Sequence, residues 1–203
     1  MNEGIFDIKQ ANKLDNPERI RELRPQELLR NIAKIHSGNT CIDFGSGTGT
    51  FTLTMAELVG SKGKVYAIDN SPEMLGHIKA KHPPNNLKLI HADVKRTSLD
   101  SQIANICLLA FILHEVQEPK ILVAEAFRLL RANGSLVVVE WKSDLDSPGP
   151  PRKARIPQEQ ITRLFSQVGL SSIQYIDWSK NHYAVVGNKK VAAVGFEPTT
   201  KGL

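Results

Sequence analysis

The chain has 203 residues, 41% of them hydrophobic and 23% charged, a composition that fits one soluble globular domain. Its formal net charge of +5 arises from 26 Lys and Arg dispersed among 21 Asp and Glu, which argues against nucleic acid as a partner. The longest apolar run is too short for a bilayer, and residues 1–10 lack a signal-peptide core. We therefore expect no membrane insertion and a cytoplasmic location.

The N-terminal part of the chain is predicted to be helical. Asn16-Pro17-Glu18 is typical of a helix start with proline at the first helical position, and Pro25 should restart or kink that helix. We predict that residues 1–36 form a helical cap segment on a single domain of residues 1–190. Residues 191–203 have no periodic pattern, so we expect a disordered tail whose deletion would leave fold and ligand affinity unchanged.

From residue 40 onward, strand-like and helix-like segments alternate, a pattern that indicates a mainly parallel sheet covered by helices on both faces. The predicted strands are 40–44, 64–68, 86–91, 105–111, 135–141, 172–178 and 183–186. The predicted helices are 51–59, one beginning at Ser71-Pro72-Glu73, 119–131 closed by Asn133-Gly134, and one from Pro157 to Gly169. The last two strands are joined by so few residues that they must pair antiparallel.

The two cysteines, Cys41 and Cys107, both fall inside predicted strands. Neither has the spacing to another Cys or to a His that a metal site would show. We expect buried free thiols and no metal.

A glycine loop follows the first strand. Residues 41–49 are an apolar strand that ends at Asp43-Phe44 and continues into Gly45-Ser46-Gly47-Thr48-Gly49 before a helix. Glycines permit positive φ and a close approach to the backbone, and a helix start offers unpaired N–H groups, so the loop favours a nucleotide-like ligand over a turn without one. Thr50 occupies the place of the third glycine in the dinucleotide fingerprint, which disfavours a nicotinamide cofactor.

Asp69 ends the second strand, 69 − 49 = 20 residues after the last glycine of the loop. A carboxylate at this place can accept two hydrogen bonds from a ribose diol, and the alternative is a cap for the helix that begins near Ser71. A ligand that has a ribose but no pyrophosphate, such as S-adenosylmethionine, fits these features.

These motifs, together with His91-Ala92-Asp93-Val94 and residues 127–135, resemble the class I S-adenosylmethionine-dependent methyltransferases. The resemblance covers residues 40–141 and is closest to the small-molecule group that includes the ubiquinone and menaquinone biosynthesis enzymes, with their type 11 methyltransferase domain. It implies a three-layer αβα sandwich with seven strands in the order 3-2-1-4-5-7-6 and strand 7 antiparallel. S-adenosylmethionine would be the cofactor and S-adenosylhomocysteine the product.

The resemblance also implies roles for individual residues. Those that would contact the methionine end or the ribose of the cofactor are Asp43, Gly45, Ser46, Gly47, Gly49 and Asp69, and those that would border the adenine side or the end of the fourth strand are Asn70, Met74, Asp93, Val94 and Ala110. Asp93 has the alternative of a loop acid that caps nearby N–H groups.

The methyl acceptor is expected over the carboxyl ends of the first and fourth strands. His114 is the candidate base there, with a polar lining residue or a cofactor neighbour as its alternative, and Glu115 could orient it or begin the following helix. Glu140 and Lys142 are weaker candidates. We predict that the N-terminal segment and the proline-rich connection 142–156 cover a small-molecule acceptor. In that connection, Arg152, Lys153 and Arg155 would either bind an anionic acceptor or form a solvated basic loop.

Two other functions remain open from the sequence. One is a nicotinamide-dependent oxidoreductase with the same topology, and the other is a non-catalytic regulatory or scaffold subunit that binds adenosylmethionine. The second is open because methyl transfer requires no covalent catalytic residue.

Overall fold

The computed structural model describes residues 11–145 and 149–190. The strands are β1 Thr40–Phe44, β2 Lys64–Asp69, β3 Leu87–His91, β4 Ala104–Ala110, β5 Leu130–Trp141, β6 Leu170–Asp177 and β7 His182–Lys189. They form one sheet in the order β3-β2-β1-β4-β5-β7-β6. Pairing is parallel from β3 to β5, and β7 runs antiparallel to both β5 and β6. The predicted fold and strand order are therefore confirmed.

The helices cover both faces of the sheet. They are α1 Ala11–Leu14, α2 Pro17–Leu23, α3 Pro25–Glu27 with a π-helical continuation Leu28–Ile32, α4 Thr50–Val59, α5 Pro72–Ala80, α6 Pro119–Leu129 and α7 Gln158–Val168. Short 3₁₀ turns occur at Leu113–Glu115 and Arg152–Ala154. Among the described residues, none of the helices has both the length and the apolar character needed to cross a membrane.

The helix starts follow the sequence signals. Asn16 caps α2 through its side-chain oxygen, which accepts from the Glu18 amide at 2.8 Å, and Pro17 takes the first helical position. Arg24 has a left-handed φ of 44° between α2 and α3, so the chain is redirected at Pro25 as expected. Ser71 caps α5 by accepting from the Met74 amide.

The side chains of the central strands alternate between two cores, which explains their nearly continuous apolar sequences. In β4, Ile106 and Leu108 pack with α4 and the N-terminal helices, whereas Cys107 and Leu109 pack with α6 and α7. Cys41 and Cys107 are both buried and free, as predicted. Burial on both faces fixes the register of the sheet, because a shift by one residue would exchange the two sets of side chains.

The boundary between α6 and β5 differs from the prediction. The helix ends at Leu129 and β5 begins at Leu130, so Asn133-Gly134 lies inside the strand and does not cap the helix. Leu130 is extended because it pairs with Ala104 of β4. A Cβ on Gly134 would lie 3.0 Å from the backbone oxygen of Ala104, so the glycine serves close strand packing there.

Several other strand ends shift by one to three residues from the prediction, and two of these shifts concern residues of the cavity. Phe111 was expected to end β4, but it has a left-handed φ of 59° and follows the strand. His182 was expected in the connection between the last two strands, but it is the first residue of β7 and pairs with Trp141. Both side chains lie beside the carboxyl ends of the central strands.

The connection 142–156 is irregular, as expected, although residues 146–148 lie outside the described part. Arg155 is buried and donates to the backbone oxygens of Lys142, Leu145 and Pro150, so it organises the loop from inside. The predicted tail, 191–203, also lies outside the described residues.

Candidate functional site

A large cavity lies over the carboxyl ends of β1, β2 and β4. Its volume of about 1270 Å³ exceeds the roughly 300–1,000 Å³ of a typical small-molecule site, so it has room for two ligands. We divide its lining into a loop half, formed by Asp43, residues 45–48, Asp69 and Asp93, and an aromatic half, formed by Arg19, Phe111, His114, Trp141 and His182.

The glycine loop passes from β1 to α4 in a left-handed backbone conformation. The φ angles are +69° at Gly45, +51° at Gly47 and +93° at Gly49, values that favour glycine. The amides of Gly45 and Ser46 donate to the backbone oxygen of Ile68, which ties the loop to β2. Ser46 Oγ is buried and has no hydrogen-bond partner in the described structure, although Ser46 lines the cavity. A buried hydroxyl without a partner is costly, and a polar ligand end would satisfy it.

Asp43 lies beneath the loop and is almost fully buried. Thr52 Oγ1 donates to Asp43 Oδ2 at 2.5 Å. Burial raises the pKa of Asp43 to about 7, against the opposing hydrogen bond from Thr52 and with a further contribution from the charge of Asp69. A cationic group brought near this carboxyl would therefore be stabilised, and the carboxyl would ionise more readily.

Asp69 forms the wall of the cavity next to the loop. Its two carboxylate oxygens accept from the amides of Gly47 at 2.8 Å and of Ser71 at 2.9 Å. Asp69 therefore caps backbone amides near the start of α5 and also lines the cavity. Each carboxylate oxygen has a further lone pair that could accept from a ligand. Burial raises the pKa of Asp69, and the hydrogen bonds from the backbone oppose that rise.

The remaining predicted cofactor residues line the same cavity with one exception. Asn70, Met74, Val94 and Ala110 are among the lining residues, and so is Asp93, whereas Gly49 is not. Asp93 Oδ1 also accepts from the Lys95 amide at 2.8 Å, so it makes the local cap that was its alternative reading. Gly49 instead starts α4, where a Cβ would meet Ile78 at 2.9 Å.

His114 follows β4 in a short 3₁₀ turn, and its partner is Glu140 at the end of β5. His114 Nδ1 lies 2.8 Å from Glu140 Oε2, and Glu140 is fully buried. Burial by itself lowers the pKa of His114, but the hydrogen bond and charge of Glu140, with Glu115, outweigh it and raise that pKa. Glu115 is farther away, with Oε1 at 3.9 Å from Nε2. Lys142 pairs with Asp177 and does not line the cavity.

The aromatic half contains residues that the sequence analysis did not single out. The rings of Trp141 and His182 have centroids 4.3 Å apart, and Phe111 lies 5.1 Å from His182 and 5.7 Å from Trp141. A left-handed φ in a bulky residue such as Phe111 is a strained feature of the kind often found at functional sites. Trp141 was visible as the last residue of an apolar strand, but nothing in the sequence indicated its pairing with His182.

Residues of the N-terminal helices cover the aromatic half of the cavity. Arg19 lies over the Phe111 ring, with Cζ 5.4 Å from the ring centroid, and burial lowers the pKa of Arg19 to about 10. Glu22 Oε1 lies 3.4 Å from His182 Nδ1, and burial outweighs the charge of Glu22 and lowers the pKa of His182. At the other end, Asp15 accepts from Thr48 Oγ1 at 2.7 Å and from Lys81 Nζ at 2.8 Å.

The connection 142–156 contributes Gly149 and Pro150 to the cavity lining. Arg152, Lys153 and Arg155 do not line it. Two cations lie over rings of the aromatic half: Arg19 over Phe111, and Arg155, whose Cζ is 5.6 Å from the centroid of the Trp141 ring. Among the described residues, no group of three His, Cys, Asp or Glu side chains is arranged to hold a metal ion.

Comparisons with known proteins find similarity to methyltransferases. The methyltransferase domain family matches residues 42–138. The chain is 28% identical to the demethylmenaquinone methyltransferase of Oceanobacillus iheyensis over 52% of this chain and 46% of that protein. It is 26% identical to the chloroplastic 2-methyl-6-phytyl-1,4-hydroquinone methyltransferase of Arabidopsis thaliana over 82% of this chain and 46% of that protein. The chain thus spans about half the length of the first curated relatives it matches.

A solved SAM-dependent methyltransferase from Aquifex aeolicus superimposes with a TM-score of 0.84 at 24% identity, over 91% of this chain and 99% of that one. At this identity the superposition establishes the fold. The sequence matches are to methyltransferases and do not favour the nicotinamide-dependent alternative. Residues 42–138 thus match a methyltransferase domain, and the chain is similar in sequence to quinone-biosynthesis methyltransferases and in fold to the class I Rossmann-like S-adenosylmethionine-dependent methyltransferases.

Proposed function

We propose that the chain binds S-adenosylmethionine in the loop half of the cavity and transfers its methyl group to a small molecule held in the aromatic half. The observation that carries this proposal is the cavity itself, which is larger than one ligand requires and is continuous from Asp69 to His114. The quinone-type substrates in the names of the relatives support a planar small-molecule acceptor.

The residues of the loop half fit the cofactor. Asp43 and Asp69 are two buried carboxyls near which a cationic ligand would be stabilised, and S-adenosylmethionine has an ammonium and a sulfonium. Ser46 Oγ offers an unused hydrogen-bonding group, and the left-handed loop lets a ligand approach the backbone closely. We propose that Asp43 and residues 45–48 hold the methionine end and that Asp69 accepts from the ribose hydroxyls. Asn70, Met74, Asp93, Val94 and Ala110 would then border the adenine.

When bound, the cofactor supplies a methyl group made reactive by positively charged sulfur. The protein has to hold the acceptor in line with that group, and orientation of this kind can contribute roughly 7–11 kcal/mol in favourable systems. Phe111 and Trp141 provide flat surfaces for a planar acceptor, and the desolvated Arg19 above Phe111 favours electron-rich or anionic groups on it. His114 is the proposed base for an acceptor that carries a proton.

Ligand-dependent thermal unfolding tests the cofactor assignment. S-adenosylmethionine or S-adenosylhomocysteine at a hundred times its Kd should stabilise the chain by about 2.7 kcal/mol, several degrees in Tm, and NAD should give no shift. Asp69→Ala should remove most of that shift, because the ribose loses its carboxylate partner. Asp100→Ala, at an exposed position outside the cavity, is the matched control and should keep it. Protection by NAD alone would reject the proposal.

We further propose that residues 1–190 form one domain in a cytoplasmic protein. The packing of the N-terminal helices into the same core as α4 and β4 supports one domain. Two buried free thiols support a reducing compartment. Residues 1–10 of the proposed cap and the tail 191–203 lie outside the described structure.

A further inference from the structure

Glu140 is a buried carboxylate whose main hydrogen-bond partner is His114. Its side chain is 0% exposed, although it lies at the carboxyl end of β5 beside the cavity. Oε1 accepts from the His114 amide at 3.3 Å, Oε2 accepts from the Trp141 amide at 3.3 Å, and His114 Nδ1 lies 2.8 Å from Oε2. In each of these contacts a backbone or ring nitrogen faces a carboxylate oxygen.

The tautomer of the His114 ring follows from the contact between Nδ1 and Glu140 Oε2. A carboxylate accepts hydrogen bonds, so Nδ1 must carry the proton that it shares with Glu140. In the neutral ring the other nitrogen, Nε2, then has the free lone pair. The side chain of His114 is 9% exposed and lines the cavity, so Nε2 has limited access to water and is within reach of a cavity ligand.

We infer that Glu140 is a positioning residue for His114, which it holds in the tautomer whose Nε2 can take a proton from the methyl acceptor. This inference rests on the proposed function and goes beyond it by assigning the orienting role to Glu140, where the sequence suggested Glu115. In the step, the acceptor's bond to hydrogen breaks and the proton moves to Nε2. The freed electron pair forms the bond to the methyl carbon while the carbon–sulfur bond breaks with its pair on sulfur, and Nε2 later releases the proton to water.

The charged and titratable groups around His114 come from four elements. Glu140 of β5 and Glu115, which lies in the same 3₁₀ turn as His114, raise the pKa of His114. Arg155 of the connection 142–156 lowers it. Tyr183 of β7 lies near Glu140, and burial raises its pKa, so it stays neutral over the working range. Among these charged groups, Glu140 makes the hydrogen bond to the ring and has the largest effect on the pKa of His114.

The first test measures the His114 pKa by NMR titration of the full chain without cofactor. In the wild type it should lie above the ordinary 6.5. In Glu140→Gln it should fall below that value by about one unit, because burial remains while the charge of the partner is lost. Glu140→Asp, which keeps a carboxylate, should recover part of the shift, and the exposed Glu57→Gln is the matched control. An unchanged His114 pKa in Glu140→Gln would overturn the inference.

The second test follows turnover with methyl-1,4-hydroquinone as the probe acceptor. Glu140→Gln should lower kcat about 100-fold with KM for S-adenosylmethionine unchanged, and the acidic limb of the pH profile should move to lower pH with the His114 pKa. Glu140→Asp should restore part of kcat. Equal kcat in wild type and Glu140→Gln would also overturn the inference. If S-adenosylmethionine gave no thermal shift in the wild type, the proposed function would be rejected instead. The NMR titration would still report on the His114–Glu140 pair.

Discussion

The two halves of the cavity are built in different ways. The loop half comes from chain segments that follow one another, β1, the glycine loop and the end of β2, and much of it is backbone. The aromatic half is assembled from side chains that are far apart in sequence, from Arg19 to His182, and depends on the pairing of β5 with β7. The loop half should therefore be sensitive to backbone changes, and the aromatic half to the loss of single side chains.

The largest expected effect comes from Gly45→Val. Its φ of +69° disfavours a β-branched residue by roughly 1–2 kcal/mol, and a Cβ would lie 2.8 Å from Ile112 Cδ1. We expect the loop to shift and the affinity for S-adenosylmethionine to fall about 100-fold, measured by calorimetry. Gly38→Val is the matched control, since its φ is +84° but nothing lies within 4 Å of its Cβ. An equal loss of affinity in both variants would show that strain alone, and not the loop, controls binding.

Asp43→Asn should separate stability from binding. Because burial raises the Asp43 pKa from 3.8 to about 7, the folded protein keeps a proton that the unfolded chain loses in that window. This contribution to stability is present below pH 3.8 and declines as pH rises to about 7. The Asn variant should therefore be more stable than wild type at pH 8, by up to about 4 kcal/mol, with little gain at pH 4.

The same substitution should weaken cofactor binding, because the amide cannot balance a ligand ammonium. Thermal unfolding at the two pH values, with and without S-adenosylmethionine, measures both effects. Asp100→Asn provides the exposed control. A gain in stability that is equal at both pH values would contradict the assigned pKa.

Asp15→Asn should have the smallest effect, and it tests whether the halves are coupled. Asp15 joins the N-terminal segment to Thr48 and Lys81 of the loop side, but the Lys81 pair is 36% exposed on each side. Such pairs contribute about 0.2–1 kcal/mol, so cofactor affinity should fall less than fivefold, and less still in high salt. Glu27→Gln, which breaks the exposed pair with Arg24, is the control. A tenfold loss of affinity in Asp15→Asn alone would show that the N-terminal segment controls the loop half.

The sequence by itself determined the order of the elements and the composition of the loop half. Strand-period apolar runs, helix caps such as Asn16 and Ser71, and the glycines before α4 are local signals, because each depends on neighbours within a few residues. Asp69 could be found in the same way, since it ends a strand at a fixed distance from the loop. The same locality explains why the short link between the last two strands predicted their antiparallel pairing.

Only the tertiary structure decided the strand boundaries and the aromatic half. Leu130 joins β5 because Ala104 pairs with it, although the local pattern favoured a longer helix. His182 meets Trp141 through the register of β5 and β7, and Glu140 reaches His114 because two parallel strands end at the same edge. These contacts join residues 26 or more positions apart, and their geometry is set by the packing of both faces of the sheet. No local pattern contains that information, which is why the loop half was predictable and the assembly of the aromatic half was not.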